Sequence, residues 1–148
     1  MYLIDVYKQT NYKLVIASNY KNSEVVKEIL KHKNIFFNSL NEDKDLYNLF
    51  QKAHINVLPT FQNTGIKLKL LNTLRQGRFV IANDYMVDKT GLESLCEKAN
   101  TKAEYLIKTA ELFQKDFKSS YMEDREKLLQ NFDPIHGAEK IVDTIFKE

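Results

Sequence analysis

Four short apolar runs punctuate the first half of the chain: Leu14–Ala17 (LVIA), Ile35–Phe37 (IFF), Ile55–Leu58 (INVL) and Phe79–Ala82 (FVIA). None shows the apolar–polar alternation of a strand with one face in water. Continuous runs of this kind suit parallel strands covered on both faces. Between them the period changes to that of a helix. Ser23–Lys31 opens on an N-cap residue, Ser23, and groups Val25, Val26, Ile29 and Leu30 on one side. Asp43–Ala53 does the same with Leu46, Leu49, Phe50 and Ala53, and Ile66–Gln76 is followed by Gly77, a natural stop. Strand and helix alternate at intervals of about twenty residues, the signature of βαβ units and a parallel sheet with helices on both faces.

After Ala82 the pattern becomes helical. Thr101–Phe117 and Tyr121–Phe132 read as helices, and Pro134–Phe146 as a last one, set off by Asp133-Pro134. Ala99–Asn100 marks a short final strand or a loop. Met1–Gln9 has the helical spacing Tyr2, Leu3, Val6, Tyr7. The expected fold is α/β, a Rossmann-like parallel sheet followed by C-terminal helices, with residues 1–148 forming one domain.

Composition narrows the function classes. A chain of 148 residues, 43% hydrophobic, supports one core. The net charge is +2 with acidic and basic residues interspersed, so no nucleic-acid patch or polybasic arm stands out. The lone Cys96 excludes an internal disulfide and a cysteine metal cluster, which fits a reducing, cytoplasmic setting. No apolar run reaches the roughly 18 residues of a membrane span. Association with a membrane surface is left open. His32, His54 and His136 are scattered without ligand partners at metal spacing, so no metal site is expected. His54 follows a helix end, where a cation suits the dipole. Cys96, near Leu92, Leu95 and Ala99, reads as a packing residue. Glu93 and Glu97 read as a solvated face, and Phe36, Phe37 and Phe79 as core.

The segment after the third strand holds the candidate chemistry: PTFQNTGIKLKLLN, Pro59 to Asn72. In open α/β sheets ligands sit at the carboxyl ends of the strands, where strand order reverses. Lys67 and Lys69 stand where a helix begins, and cations there are disfavoured by the helix dipole. Two readings stay open. In one, both lysines lie on a solvated face, their stems covering apolar surface. In the other, an anion such as a diphosphate shares the helix start with one lysine. Thr64 and Asn63 are ordinary N-cap types, Gly65 permits close approach, and Phe61 either lines a pocket or anchors its loop.

VLPTFQNTGIKLKLLNTLRQGRFVIAND resembles the carboxyl-terminal half of GT-B glycosyltransferases, especially the group 1, family 4-like enzymes. The counterparts of the family's pattern are Pro59-Thr60, Thr64-Gly65, Leu70-Leu71-Asn72-Thr73-Leu74, Gly77 and Val80-Ile81-Ala82. The likeness implies the nucleotide-sugar-binding half of an enzyme that transfers a sugar to a glycan, lipid or other acceptor. It implies Thr64, Gly65, Lys67 and Lys69 at the nucleotide diphosphate, Lys67 ahead of Lys69. Asn72, Ser18, Asn19, Phe61 and Asn63 would border the ribose, base or sugar. No cofactor beyond the donor substrate is implied. Many members carry an E-x7-E pair; Thr64 and Asn72 stand at those positions, so both carboxylates are absent. The resemblance also implies an amino-terminal acceptor domain, and a central strand ahead of Met1–Gln9, that this chain lacks. It would then be a piece of an enzyme, with the catalytic groups unassigned and little turnover alone. Leu14–Ala17 must then pair directly with Ile55–Leu58 or leave ladder groups unpaired. A degenerate α/β assembly module without donor binding is the alternative.

Overall fold

A computed structural model describes residues 2–62 and 67–133. The expected helix at Pro134–Phe146 lies outside them. Helix α1 (Tyr2–Tyr7) leads into β1 (Leu14–Ser18), α2 (Ser23–Ile29), β2 (Ile35–Ser39), α3 (Asp43–Lys52) and β3 (Ile55–Leu58). Next come α4 (Leu68–Gln76), β4 (Phe79–Ala82), a short α5 (Asp84–Val87), β5 (Glu97–Lys98), α6 (Lys102–Phe113) and α7 (Ser120–Leu129). All strand pairings are parallel, and the fold is Rossmann-like.

The helix starts follow from local chemistry. Asn22, not Ser23, caps α2: its side-chain oxygen accepts from the amides of Glu24 (2.9 Å) and Val25 (3.2 Å). Asn22 is extended, as a cap requires, whereas Ser23 is already in the helix. Thr101 caps α6 by accepting from the Glu104 amide, while Glu104 reaches back to the amides of Asn100 (2.6 Å) and Thr101 (3.0 Å). These amides hold the Glu104 carboxyl below its ordinary pKa. The last strand is Glu97–Lys98, one step before the expected site, because Ala99 leaves the ladder after donating to the Ala82 carbonyl. Gly77 ends α4 in extended rather than left-handed conformation. Glycine is needed there for space: a Cβ would lie 2.5 Å from Asn56 Nδ2 and 2.8 Å from the Thr73 carbonyl.

The sheet is in two parts. β1 pairs with β2, and β3, β4 and β5 form a second sheet with β4 in the middle. Among the described residues no ladder joins β1 to β3, so the direct pairing is not made. The two parts nonetheless share an orientation. Tyr12, just before β1, stacks on Phe113 at 4.7 Å, and Phe113 meets His54, just before β3, at 5.5 Å. The amino ends of β1 and β3 therefore lie on one edge. His54 Nε2 contacts the Leu112 carbonyl at 3.0 Å, so it faces the carboxyl end of α6 rather than that of the helix before it.

Beneath the gap, α1 packs on α6. Val6, Tyr7, Tyr105 and Leu112 are buried together, with Leu14 of β1 and Ile55 and Val57 of β3 against them. Tyr7 Oη and Thr109 Oγ1 share a buried hydrogen bond of 2.8 Å. On the opposite face, α4 and α7 cover β3 and β4 through Leu70, Leu74, Val80 and Leu129. Coverage of β1 and β2 is less complete than expected. Phe37 packs inward, but Phe36 is 44% exposed beside Val15, with Lys13 over its ring. These neighbours occupy the face opposite α1 and α2.

Arg125 of α7 is the buried charge that joins the last helix to α4. Its guanidinium donates to the carbonyls of Gly77 (2.8 Å), Leu74 (3.3 Å) and Arg78, closing the carboxyl end of α4. Burial lowers its pKa, yet an arginine stays charged. Arg125→Met should cost roughly 1.5–3 kcal/mol, the range for hydrogen bonds from a charged group. Urea denaturation of the two proteins measures it as a lower midpoint.

Candidate functional site

The carboxyl edge of the sheet, opposite the Tyr12–Phe113–His54 stack, gathers the loops where chemistry is expected. Chain order reverses at the gap: β1 leads away to β2, and β3 leads the other way to β4 and β5. The loop leaving β3 there is held from the side. Asn83, the residue after β4, accepts from the Thr60 amide at 3.0 Å and donates to the Thr60 carbonyl at 2.6 Å. Thr60 Oγ1 donates to the Gln62 carbonyl at 3.3 Å and meets the Gln62 amide at 3.4 Å, making a tight turn.

Lys67 occupies the N-cap position of α4. It brings no side-chain acceptor, unlike Asn22 at α2 and Thr101 at α6. The first helical residue is Leu68, later than Ile66. Lys67 is half-buried, and its Nζ folds back to donate to the Gln62 carbonyl at 3.4 Å. Lys69 is exposed on the first turn of α4. Asn72 is half-buried on α4, and among the described residues nothing hydrogen-bonds its side chain. Asn63, Thr64 and Gly65 lie outside the described residues.

Phe61 is 71% exposed, and its ring meets that of Tyr2 edge-on at 5.6 Å. Tyr2 packs edge-on against Tyr105 in turn, so the start of α1 reaches this edge. Ser18 ends β1 and accepts from the Tyr20 amide at 3.0 Å, and Asn19 is exposed. Both belong to the β1–β2 side of the gap, and among the described residues no hydrogen bond joins them to Phe61, Lys67 or Asn72. The structure thus brings Phe61 and Lys67 to one loop and leaves Ser18 and Asn19 across the gap.

Two residues at this edge escape a reading by motif. Asn83 belongs to no motif in the sequence, and Tyr2 reads only as part of a helix. The signal for Asn83 is a polar residue directly after FVIA, at a strand's carboxyl end. Beyond it, Asp84 pairs with Lys98 (2.6 Å) and with Asn100 (2.9 Å), so its carboxyl lies below its ordinary pKa. It is an ionised, neutralised group and a poor proton acceptor. Glu93 and Glu97 do not share a helix face; Glu97 sits in β5 and pairs with Lys108 at 3.1 Å. Among the described residues no three His, Cys, Asp or Glu side chains converge to hold a metal, and no helix is long and apolar enough to cross a membrane.

The family model for group 1 glycosyl transferases matches residues 2–116, running through both sheets and the loop at Lys67. This chain belongs to the group 1 glycosyl transferases. Curated proteins and solved structures give no match. Within this glycosyl transferase, the domain corresponds to the carboxyl-terminal half of a GT-B enzyme.

Cys96 lies partly buried, away from the loop at Lys67 in sequence. It packs with Leu92 and Leu95, and burial pushes its thiol up to about 12. With an ordinary value of 9.0, the thiolate fraction at pH 8 falls by about a thousandfold. Titration with a disulfide reagent at pH 8 should find Cys96 silent in the folded protein and fully reactive in denaturant.

Proposed function

We propose that this domain binds the nucleoside-diphosphate part of a sugar donor at the carboxyl edge, with Lys67 at the diphosphate. The carrying observation is Lys67 itself: a half-buried cation at the start of a helix that has no side-chain acceptor there. The free amides of a helix start and a neighbouring ammonium together favour an anion, and an anion offsets the unfavourable charge against the dipole. Diphosphate is also where charge develops when the glycosidic bond to the donor breaks, so the same groups would stabilise the leaving group. Thr64, Gly65 and Lys69 complete this part of the site in the proposal. Asn72, a hydrogen-bonding group without charge, takes the place of a carboxylate at the ribose. Phe61, Asn63, Ser18 and Asn19 border the base or sugar. No metal or other cofactor is invoked.

An acceptor-binding half would supply the acceptor and any general base, and would work in the cytoplasm or at a membrane surface. A second reading, an assembly module without donor binding, is favoured by the edges of β1 and β3 that carry no ladder among the described residues and by the absence of both carboxylates of the E-x7-E pair.

Calorimetric titration with UDP, GDP and ADP separates the two. Binding of one of them in the micromolar to millimolar range is expected, and Lys67→Ala should weaken it by about tenfold, the loss of one charge-assisted hydrogen bond. Absence of binding by all three up to several millimolar would leave the assembly module as the better reading. Binding untouched by Lys67→Ala would remove the lysine from the site.

A further inference from the structure

Asn83 is a buried polar residue, 8% exposed, at the edge where the donor is proposed to bind. It lies where the β3–β4 ladder runs out. The last paired residues are Leu58 and Ala82, and Pro59 has no amide hydrogen with which to continue. The Asn83 side chain takes over. Its amide group, donor and acceptor together, bonds the carbonyl and amide of Thr60 at 2.6 and 3.0 Å, as a backbone neighbour would. The Thr60 hydroxyl then fixes Gln62, and the Gln62 carbonyl receives the Lys67 ammonium at 3.4 Å.

We propose that Asn83 is a positioning residue for the anion site: through Thr60 and Gln62 it sets where the Lys67 ammonium stands. Thr60 engages both its polar atoms, so Asn83 acts on the ligand through the loop. Without it the Thr60 amide and carbonyl lose their partners, the turn at Gln62 loosens, and Lys67 loses a fixed acceptor. The inference rests on the reading of Lys67 as a diphosphate ligand.

A double-mutant cycle with UDP as the titrant tests it. Asn83→Ser keeps a polar side chain but is too short to span both Thr60 groups; Asn83→Ala is the second variant. Thermal unfolding establishes that each is folded at the assay temperature. In the otherwise unchanged protein, either substitution should weaken UDP binding by about tenfold. In a Lys67→Ala background the same substitution should change it less than twofold, because the group it positions is gone. Equal losses in both backgrounds would mean a general structural role and overturn the inference. Wild-type affinity in both Asn83 variants would overturn it as well, while a loss in Lys67→Ala alone would leave the donor site standing. Failure of the parent protein to bind UDP would move the same cycle to GDP or ADP, and failure of all three would remove the donor reading and the positioning role with it.

Discussion

Among the described residues no backbone hydrogen bond crosses from the β1–β2 sheet to the β3–β4–β5 sheet, so their joining rests on the apolar contact of α1 with α6. Side chains on these helices touch Leu14 on one side of the gap and Ile55 and Val57 on the other. Burying each large apolar side chain contributes roughly 1.5–3 kcal/mol before entropy is counted, and several act together here. The Tyr7–Thr109 hydrogen bond adds direction to a contact that would otherwise be non-directional. The ring stack Tyr12–Phe113–His54 aligns the strand starts, and with them the carboxyl ends that form the site.

Much of this was legible in the sequence. The four apolar runs are the first four strands, because a parallel strand buried on both faces leaves a compositional mark that needs no partner to be read. Glu97–Lys98 carries no such mark. Two charged residues become a strand only because β4 offers them an edge. The cap of α2 moved by one residue since Asn22 and Ser23 are both capable caps, and only backbone conformation chooses between them. Phe36 was misplaced because a run of three apolar residues does not say which face lacks a covering helix.

The site was legible to the extent that it is local. Lys67 at a helix start is an oddity of one short stretch, visible in the order of residues. Asn83 was not visible, since its partner Thr60 is 23 residues away and the bond passes between a side chain and the backbone. Family likeness covers residues 2–116 and assigns the glycosyl transferase fold, but it says nothing of which side chain replaces a ladder after a proline. That information is in the register of β3 against β4.

The gap between the sheets has a further consequence for handling the isolated domain. A paired strand is protected, but among the described residues β1 has no ladder partner on the side facing the gap, and it is flanked on one face by the exposed Val15 and, one strand away, by Phe36. Unpaired apolar edges are templates for strand addition by neighbouring molecules, and natural proteins blunt them with charge or bulges. The only cation over this patch is Lys13, above the Phe36 ring, among the described residues. Colloidal behaviour, rather than folding alone, is therefore set by whatever closes that edge.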